Sequence, residues 1–319
     1  MKALVHDEGL ALVELAPPTC EAGEALIAVR LAGVCATDLE VLRGYRDYRG
    51  VMGHEMVGEV VECPDDPTWV GRRVAPEINV TCGHCHACRH GCANMCERRS
   101  VMGIFGRPGC FAELVALPIA NLHVVPDSVD DLAAVFVEPL AAAYRISTQI
   151  DVAGLQSVAV LGDGKLGLLI AMAMAERGAP VVLYGRHERK LLLAEGAGIA
   201  TRRSERGKPR SCDLVVEATG SASGLKDALE LVRPRGTLVL KSTFQGAVNL
   251  NTNRIVVDEI TVLGSRCGPF DVALDALARA AVDPRPLIDA TYPLADGVAA
   301  IEHARSKGTL KVLLDMRAL

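Results

Sequence analysis

The sequence predicts an α/β protein of two domains, one β-rich and the other built on a doubly wound parallel sheet. Through roughly the first 115 residues, short apolar or alternating runs recur between prolines and glycines, which is typical of a β-rich domain. From residue 158 onwards, apolar runs alternate with helix-forming stretches, as in a parallel sheet covered by helices. A chain of 319 residues is long enough for two domains, each with its own core.

Composition and charge argue against several classes of protein. A formal net charge of −5 does not suit a nucleic-acid-binding surface. The apolar run at 166–175 is too short to span a bilayer, and residues 1–10 carry acids where a signal peptide has its apolar core. The eleven cysteines are therefore expected to be reduced thiols or metal ligands. We expect a cytoplasmic protein without a nucleic-acid or membrane partner.

The β-rich region contains a candidate catalytic metal site. Its predicted strands are Lys2–Val5, Ala25–Leu31, Met56–Glu62 and Arg73–Ala75. Between them lie GVCATD at 33–38 and GHE at 53–55. Cys35, His54 and the neighbouring acids could provide three protein ligands to a catalytic zinc and leave one coordination position open. The alternative is a buried free cysteine with a histidine held in a turn, and these residues alone favour that alternative.

A cysteine-rich lobe at about 80–100 indicates a second candidate metal site. Four of its cysteines follow the spacing C-x2-C-x2-C-x7-C, namely Cys82, Cys85, Cys88 and Cys96. Four thiolates at this spacing can close a tetrahedral structural zinc site, which leaves Cys92 without a place in it. A zinc ribbon for nucleic acid is the rival interpretation. Arg89, Arg98 and Arg99 are its only basic support, and the acidic chain argues against it.

The stretch Ser157–Gly167, SVAVLGDGKLG, indicates a dinucleotide-binding site. Val158–Leu161 is predicted to be a buried strand, and Leu168–Arg177 is rich in helix formers. The turn between them has the pattern G-x-G-x-x-G, which in this context is the fingerprint of a Rossmann domain. Gly162 is expected to permit the tight turn, and Gly164 is expected to let a pyrophosphate approach the backbone. Gly167 is expected to let the helix pack against the strand. The amides of Lys165 and Leu166 would face the phosphates.

The elements on either side complete the two domains. A helix is predicted to start at Asp130-Asp131. Further strands of the parallel sheet are predicted at Val181–Tyr184, Asp213–Glu217, Thr237–Lys241 and Ile260–Gly264, with a helix at Glu188–Glu195. Near the end of the chain we expect a helical segment at Pro269–Ala281 and a last strand at Lys311–Asp315.

The end of the second strand of this sheet bears on the choice of cofactor. An NAD site carries an acid about twenty positions past the glycines, but Gly185 stands there, followed by Arg186. A guanidinium can bind the 2′-phosphate of NADP, and Lys190 lies one helical turn away. NADP is therefore favoured over NAD. The alternative is that these basic residues are ordinary charges on a helix surface.

Taken in order, the motifs resemble those of the zinc-dependent medium-chain alcohol and polyol dehydrogenases. GVCATD, GHE, the four-cysteine lobe, VEPLAAA at 137–143 and the glycine turn follow one another as in that family, over essentially the whole chain. The resemblance implies a GroES-like catalytic domain over 1–145, a Rossmann domain over 146–268 and a segment, 269–319, that returns to the catalytic domain. It also implies a homodimer or homotetramer.

The resemblance further implies ligands for the catalytic zinc. Cys35 and His54 would bind the metal, and Glu55 would be a permanent or an exchanging ligand. Glu138 stands where the alcohol dehydrogenases proper of this family have a cysteine ligand, which suggests the sorbitol, threonine and glucose dehydrogenase branch. Glu138 could bind zinc directly or through water.

Other roles follow from the same resemblance. Thr37 would hold the proton of the substrate oxygen, and Asp38 would orient His54. Glu40 occupies the position of a relay histidine in many members and could serve in its place. Lys311 matches a basic residue that reaches the cofactor phosphates, although a solvated lysine is an equally simple interpretation.

The expected function is hydride transfer between a secondary alcohol of the polyol or sugar kind, or its ketone, and NADP(H) or NAD(H). We expect two zinc ions per chain and a small-molecule alcohol or ketone as the partner. A quinone or enone reductase of the same superfamily would lack Cys35, His54 and the cysteine lobe. A non-catalytic NADPH-binding or zinc-binding protein would keep the folds but show no turnover.

Overall fold

The protein is described by a computed structural model that covers residues 1–204, 211–243 and 247–318. It divides into two compact units. Unit 1 consists of Met1–Glu138, Leu274–Ala278 and Pro284–Leu319, and unit 2 consists of Pro139–Ala273 and Arg279–Asp283. No helix within the described ranges is both long enough and apolar enough to cross a membrane.

Unit 1 is mainly β-structure. The strands in its first part are β1 (Lys2–His6), β2 (Leu10–Glu14), β3 (Glu24–Gly33), β4 (Gly50–Val51), β5 (Glu55–Glu62), β6 (Arg73–Pro76), β7 (Asn79–Val80), β8 (Ser100–Met102), β9 (Gly106–Arg107), β10 (Leu114–Pro118) and β11 (Leu122–Val124). Short helices interrupt them, namely α1 (Ala36–Val41), α2 (His86–Arg89) and α3 (Asp131–Ala134). The Asp130 carboxylate accepts a hydrogen bond from the amide of Ala133 at 2.8 Å, so it caps α3 where the sequence predicts a helix start.

Helix α4 (Val137–Gln149) leads into unit 2, whose core is a parallel sheet. Its elements are β12 (Val158–Leu161), α5 (Lys165–Glu176), β13 (Val181–Gly185), α6 (Glu188–Gly196), β14 (Ala200–Arg203), β15 (Cys212–Glu217), α7 (Ala222–Leu231), β16 (Val232–Leu240), α8 (Thr252–Val257) and β17 (Thr261–Gly264). The strand order is β14-β13-β12-β15-β16-β17. This is the 3-2-1-4-5-6 order of a doubly wound dinucleotide-binding sheet.

The last elements of the chain are α9 (Phe270–Ala278), β18 (Ile288–Pro293), α10 (Gly297–Arg305) and β19 (Lys311–Asp315). Both strands join the largest sheet of unit 1, whose order is β11-β6-β5-β3-β19-β18, with β10 also paired to β3. Single turns of 3-10 helix occur at Tyr45–Asp47, Pro67–Trp69, Ala93–Met95, Ile119–Asn121, Arg285–Leu287 and Leu294–Asp296.

Two registers in unit 1 position the candidate metal site. The antiparallel pairing of β3 with β5 sets Gly33 opposite Glu55, and the pairing of β3 with β19 sets Gly33 opposite Leu313. The end of β3, the start of β5 and the first half of β19 therefore meet. Because α1 follows β3 directly, its first residues lie at the same place.

Candidate functional site

The four cysteines predicted to hold a structural zinc come together in unit 1. Their sulfur atoms all lie within 4.8 Å of one another. Cys85 Sγ is 3.5 Å from Cys88 Sγ, and Cys82 Sγ is 3.5 Å from Cys96 Sγ. A tetrahedral zinc with Zn–S bonds of about 2.3 Å separates its sulfurs by about 3.8 Å, so the arrangement fits this metal.

Backbone amides lower the pKa of the Cys82 and Cys85 thiols and so favour the thiolate form that zinc binds, whereas burial raises the pKa of Cys88 to about 11. The amides of Cys82 and Arg98 each donate to Cys96 Sγ at 3.4 Å. The amides of Cys88 and Glu97 lower the pKa of the Cys85 thiol to about 6. All eleven cysteines of the chain lie in its described parts, and none of them forms a disulfide. The fifth cysteine of the lobe, Cys92, is exposed and stands outside the cluster.

The second cluster consists of Cys35, His54 and Glu55, whose ligand atoms also lie within 4.8 Å of one another. Cys35 immediately precedes α1, and His54 and Glu55 stand at the start of β5. His54 and Glu55 are buried, while Cys35 is partly exposed. A thiolate, an imidazole and a carboxylate make a donor set that suits a catalytic zinc with an open position.

One carboxylate holds two of these groups in place. Asp38 is fully buried, and its Oδ2 accepts a hydrogen bond from the amide of Cys35 at 2.7 Å. Its Oδ1 lies 3.0 Å from Nδ1 of His54, which leaves Nε2 as the nitrogen available to a metal. Burial alone lowers the pKa of His54, but the charges and hydrogen bonds of Asp38 and Cys35 raise it well above its ordinary value.

Glu55 has a neighbour that the sequence does not predict. Its carboxylate forms an ion pair with Nζ of Lys311, and both side chains are buried. Burial alone lowers the pKa of Lys311, but the negative charge of Glu55 raises it, so the ammonium stays charged. The expectation that Lys311 reaches the cofactor phosphates stays a prediction, and the partner seen for this side chain is Glu55. Its charge is already compensated inside unit 1, and its side chain has no exposed surface.

Three further residues are predicted to belong to this site, and one of them is seen in contact with the cluster. Thr37 Oγ1 is 3.7 Å from Cys35 Sγ, so the hydroxyl is beside the predicted metal ligand. Glu40 forms an ion pair with Arg43. Glu138 lies in the first turn of α4 and, within the described ranges, is not part of the ligand cluster.

Unit 2 contains a cavity of about 320 Å³ next to the glycine turn. Five of the predicted cofactor-binding residues line it, namely Gly162, Gly164, Gly185, Arg186 and Lys190. Lys165, Leu166 and Gly167 form the first turn of α5. The cavity lies beyond the carboxyl ends of β12, β13 and β15, at the point where the strand order of the sheet reverses.

The three glycines of the turn differ in what a side chain would meet. Gly162 has a φ of +116°, and a Cβ on Gly167 would lie 1.9 Å from the carbonyl oxygen of Gly162. A Cβ on Gly164 would meet nothing within 4 Å. The protein itself therefore does not require glycine at 164. The open space there fits a cofactor phosphate that approaches the backbone.

The structure places a carboxylate at the end of the second strand, where the sequence alone shows Gly185. Asp163, within the glycine turn, points across to that strand end. Its Oδ2 accepts hydrogen bonds from the amides of Arg186 at 2.6 Å and His187 at 2.7 Å. The sequence carries no signal for this contact, because it depends on the register of the sheet, in which Leu161 pairs with Tyr184.

The chain matches two family models. The model of the alcohol dehydrogenase GroES-like domain matches residues 21–127, and that of the zinc-binding dehydrogenase matches residues 166–281. An L-threonine 3-dehydrogenase of Streptomyces coelicolor is 32% identical, with 100% of both chains covered. A sorbitol dehydrogenase of Halalkalibacterium halodurans is 30% identical, with 98% of this chain and 99% of the relative covered.

Solved structures agree with these relatives. A short-chain alcohol dehydrogenase of Escherichia coli CFT073, complexed with NADH, superimposes with a TM-score of 0.92 at 28% identity and 99% coverage of both chains. A zinc-binding dehydrogenase of Sinorhizobium meliloti 1021, bound to NADP, has a TM-score of 0.91 at 28% identity and 98% coverage of both. The chain therefore belongs to the zinc-dependent medium-chain alcohol dehydrogenase family and is an NAD(P)-dependent dehydrogenase with a GroES-like domain and a Rossmann-type domain.

Proposed function

We propose that this dehydrogenase oxidises a secondary alcohol of the polyol or sugar kind, or reduces the corresponding ketone, at a zinc held by Cys35, His54 and Glu55. The observation that carries the proposal is the clustering of these three side chains around the buried carboxylate of Asp38. A zinc bound there would polarise the substrate oxygen and lower the pKa of the alcohol. Hydride would pass between the substrate carbon and C4 of the nicotinamide.

The residues around the cluster would position the reacting groups and move the proton. Asp38 fixes the ring of His54 and the backbone of Cys35, so both ligands are oriented before a metal arrives. The Thr37 hydroxyl, beside Cys35, would accept the proton that the alcohol loses and pass it on. Glu40 lies one turn further along α1, where it is partly exposed and paired with Arg43, and a proton could leave through it or through water.

A second zinc would be held by Cys82, Cys85, Cys88 and Cys96. Four thiolates complete the coordination of the metal and leave no position for a substrate, so this zinc would be structural. We thus propose two zinc ions per chain. Reduced thiols at both sites are compatible with a cytoplasmic protein, and the family resemblance suggests a homodimer or homotetramer.

Two considerations support a polyol, a sugar or a related secondary alcohol as the substrate. Glu138 replaces a cysteine of the alcohol dehydrogenases proper, and the relatives described above include a sorbitol and a threonine dehydrogenase. Sorbitol and threonine are both oxidised at a secondary hydroxyl group. Glu138 would stand near the metal, where its carboxylate could bind directly or through water.

The test is a steady-state assay with a panel of polyols, sugars, L-threonine and primary alcohols, with NAD or NADP as the oxidant. Formation of reduced nicotinamide is followed by its absorbance. We expect turnover with secondary alcohols and little with primary ones. No turnover with any of these, in protein that contains zinc and binds the cofactor, would favour a non-catalytic member of the family.

The role of Thr37 can be tested on the best substrate of that panel. Thr37→Val keeps the shape of the side chain but removes the hydroxyl, and we expect kcat to fall by about a hundredfold or more. Thr37→Ser is the matched control and should keep most of the activity. Zinc content is measured in both variants, because a loss of metal would imitate a loss of the proton path. A Thr37→Val enzyme with full kcat and full zinc would exclude Thr37 from proton transfer.

A further inference from the structure

Asp163 is the central residue of the glycine turn, and its side chain lies where the second strand of the sheet ends. Its Oδ2 accepts from the amides of Arg186 and His187 at 2.6 and 2.7 Å, and it lies 3.0 Å from Nδ1 of His187. Oδ1 lies 3.1 Å from the same ring nitrogen. A carboxylate oxygen has two lone pairs, so Oδ1 can accept a further hydrogen bond from a ligand in the cavity that Asp163 lines.

The carboxylate of Asp163 fills the space that a side chain at position 185 would occupy, and Gly185 has no side chain. A Cβ on Gly185 would lie 2.6 Å from both Cβ and Oδ2 of Asp163, and 2.7 Å from Cδ2 of Leu191. In NAD-binding Rossmann domains, an acid near this strand end receives the ribose hydroxyls. Here the strand itself ends without an acid, but the carboxylate of Asp163, in the glycine turn, lies at the same place.

The surroundings of Asp163 keep it ionised. Burial acts to raise its pKa, but the hydrogen bonds from the amides of His187 and Arg186 outweigh burial and lower the pKa below its usual value. The 2′-phosphate of NADP carries roughly two negative charges. It would therefore meet a fixed negative charge, and the two amides that could bind it are already engaged by Asp163. Arg186 and Lys190, which also line the cavity, offer positive charge against this.

From these contacts we infer that Asp163 determines cofactor specificity, by accepting the ribose hydroxyls of NAD and excluding the 2′-phosphate of NADP. The inference rests on the proposed function only in so far as unit 2 binds a nicotinamide dinucleotide. It reverses the preference for NADP that Gly185 and Arg186 suggest when the sequence is considered alone. It also means that Gly185→Asp cannot simply add a ribose-binding acid, because the new side chain would collide with Asp163.

The test is equilibrium binding of NADH and of NADPH, measured by isothermal titration calorimetry in the absence of any alcohol or ketone. Wild type is expected to bind NADH about tenfold or more tightly than NADPH. Asp163→Asn, which keeps the shape but removes the charge, should lose this preference through tighter binding of NADPH. Asp163→Ala should go further, because it releases the amides of Arg186 and His187 for the phosphate.

Glu188→Gln is the matched control. It removes one negative charge from the residue that follows His187, on an exposed side chain that pairs with Arg203, and it should leave the ratio of the two dissociation constants unchanged. The inference is overturned if wild type prefers NADPH, or if Asp163→Asn and Glu188→Gln change the ratio equally. A protein that binds neither nucleotide would overturn the dinucleotide site itself, whereas a clear preference for NADPH would leave the proposed function intact. Thermal unfolding of each variant shows whether it is folded.

Discussion

The buried ion pair of Lys311 and Glu55 shows how a single residue can acquire a role that its neighbours in sequence do not reveal. The two charges are 256 positions apart and meet only because β19 and β5 both pair with β3. Gly33 lies between them, and a Cβ there would be 2.8 Å from Oε2 of Glu55 and 3.3 Å from Nζ of Lys311. The absence of a side chain at Gly33 therefore makes room for the pair.

Breaking this pair should destabilise unit 1. Lys311→Met keeps much of the side-chain volume but removes the ammonium group that pairs with the carboxylate of Glu55, and the effect on stability is measured with the Cys35, His54 and Glu55 cluster free of zinc. Loss of one partner of a buried pair costs about 3–5 kcal/mol, and we expect the free energy of unfolding in urea to fall by about that amount. The Michaelis constants for NAD and NADP should stay close to the wild-type values.

The control for this variant is Lys307→Met, in an exposed turn just before β19, which should leave unfolding unchanged. The double variant Glu55→Gln/Lys311→Met should recover part of the lost stability, because it removes both charges. A Lys311→Met protein of normal stability, with a much higher Michaelis constant for the cofactor, would instead support the role in phosphate binding that the family resemblance implies.

The residues of the candidate site could be predicted where short spacings or strong motifs define them. The cysteine lobe is such a case, because its four ligands lie within 15 residues and α2 and its flanking turns bring them together. The roles of Asp163 and Lys311 could not be read in this way. Each depends on a contact that the register of a sheet creates between separate segments of the chain, and a glycine at the contact point carries no signal of its own.

At the scale of elements, the glycine turn between β12 and α5 combines two requirements that its motif does not separate. Gly162 and Gly167 are required by the fold, the first by its positive φ and the second by the close approach of α5 to the turn. Gly164 has φ −73° and ψ 169°, which any residue can adopt, and its surroundings are open. Only a ligand gives a reason for glycine at that position.

Replacing these two glycines by alanine should therefore separate binding from stability. Gly164→Ala should unfold like wild type but bind NADH about tenfold or more weakly, since the methyl group would hold the pyrophosphate away from the backbone. Gly167→Ala should lose about 1–3 kcal/mol of stability, because its Cβ would collide with a backbone oxygen. Thermal unfolding and calorimetric titration provide the two readouts. Equal binding by wild type and Gly164→Ala would mean that no phosphate approaches this turn.

The sequence predicts most strands of unit 2 because a buried parallel strand is a short apolar run between turns. The predicted bounds of Val158–Leu161 agree with β12, and those of Lys311–Asp315 agree with β19. By contrast, β16 begins at Val232, five residues before the predicted strand, because its first half includes Pro234 and charged residues. β14 was not predicted at all, since an exposed edge strand with the sequence ATRR has no apolar run.

At the scale of the whole molecule, the chemistry divides between the two units. Both ligand clusters lie in unit 1, and the glycine turn with its cavity lies in unit 2. The two clusters differ in kind. One has four sulfur ligands, and the other has a sulfur, a nitrogen and a carboxylate whose own partner is a buried lysine. A structural and a catalytic zinc would account for this difference.

The two clusters should be separable by metal analysis. Purified protein is expected to contain about two zinc ions per chain. Cys85→Ser should lose one of them and lower the unfolding temperature, because the lobe of residues 80–100 would lack a ligand of the metal that closes it. Cys35→Ser should weaken or remove the other zinc ion, leave the unfolding temperature close to that of wild type and abolish turnover.

Elemental analysis, thermal unfolding and an activity assay are performed on the same preparations. Cys92→Ser, in the lobe but outside the cluster, is the matched control. At most one zinc in wild type, unaffected by either ligand variant, would exclude the two-site arrangement.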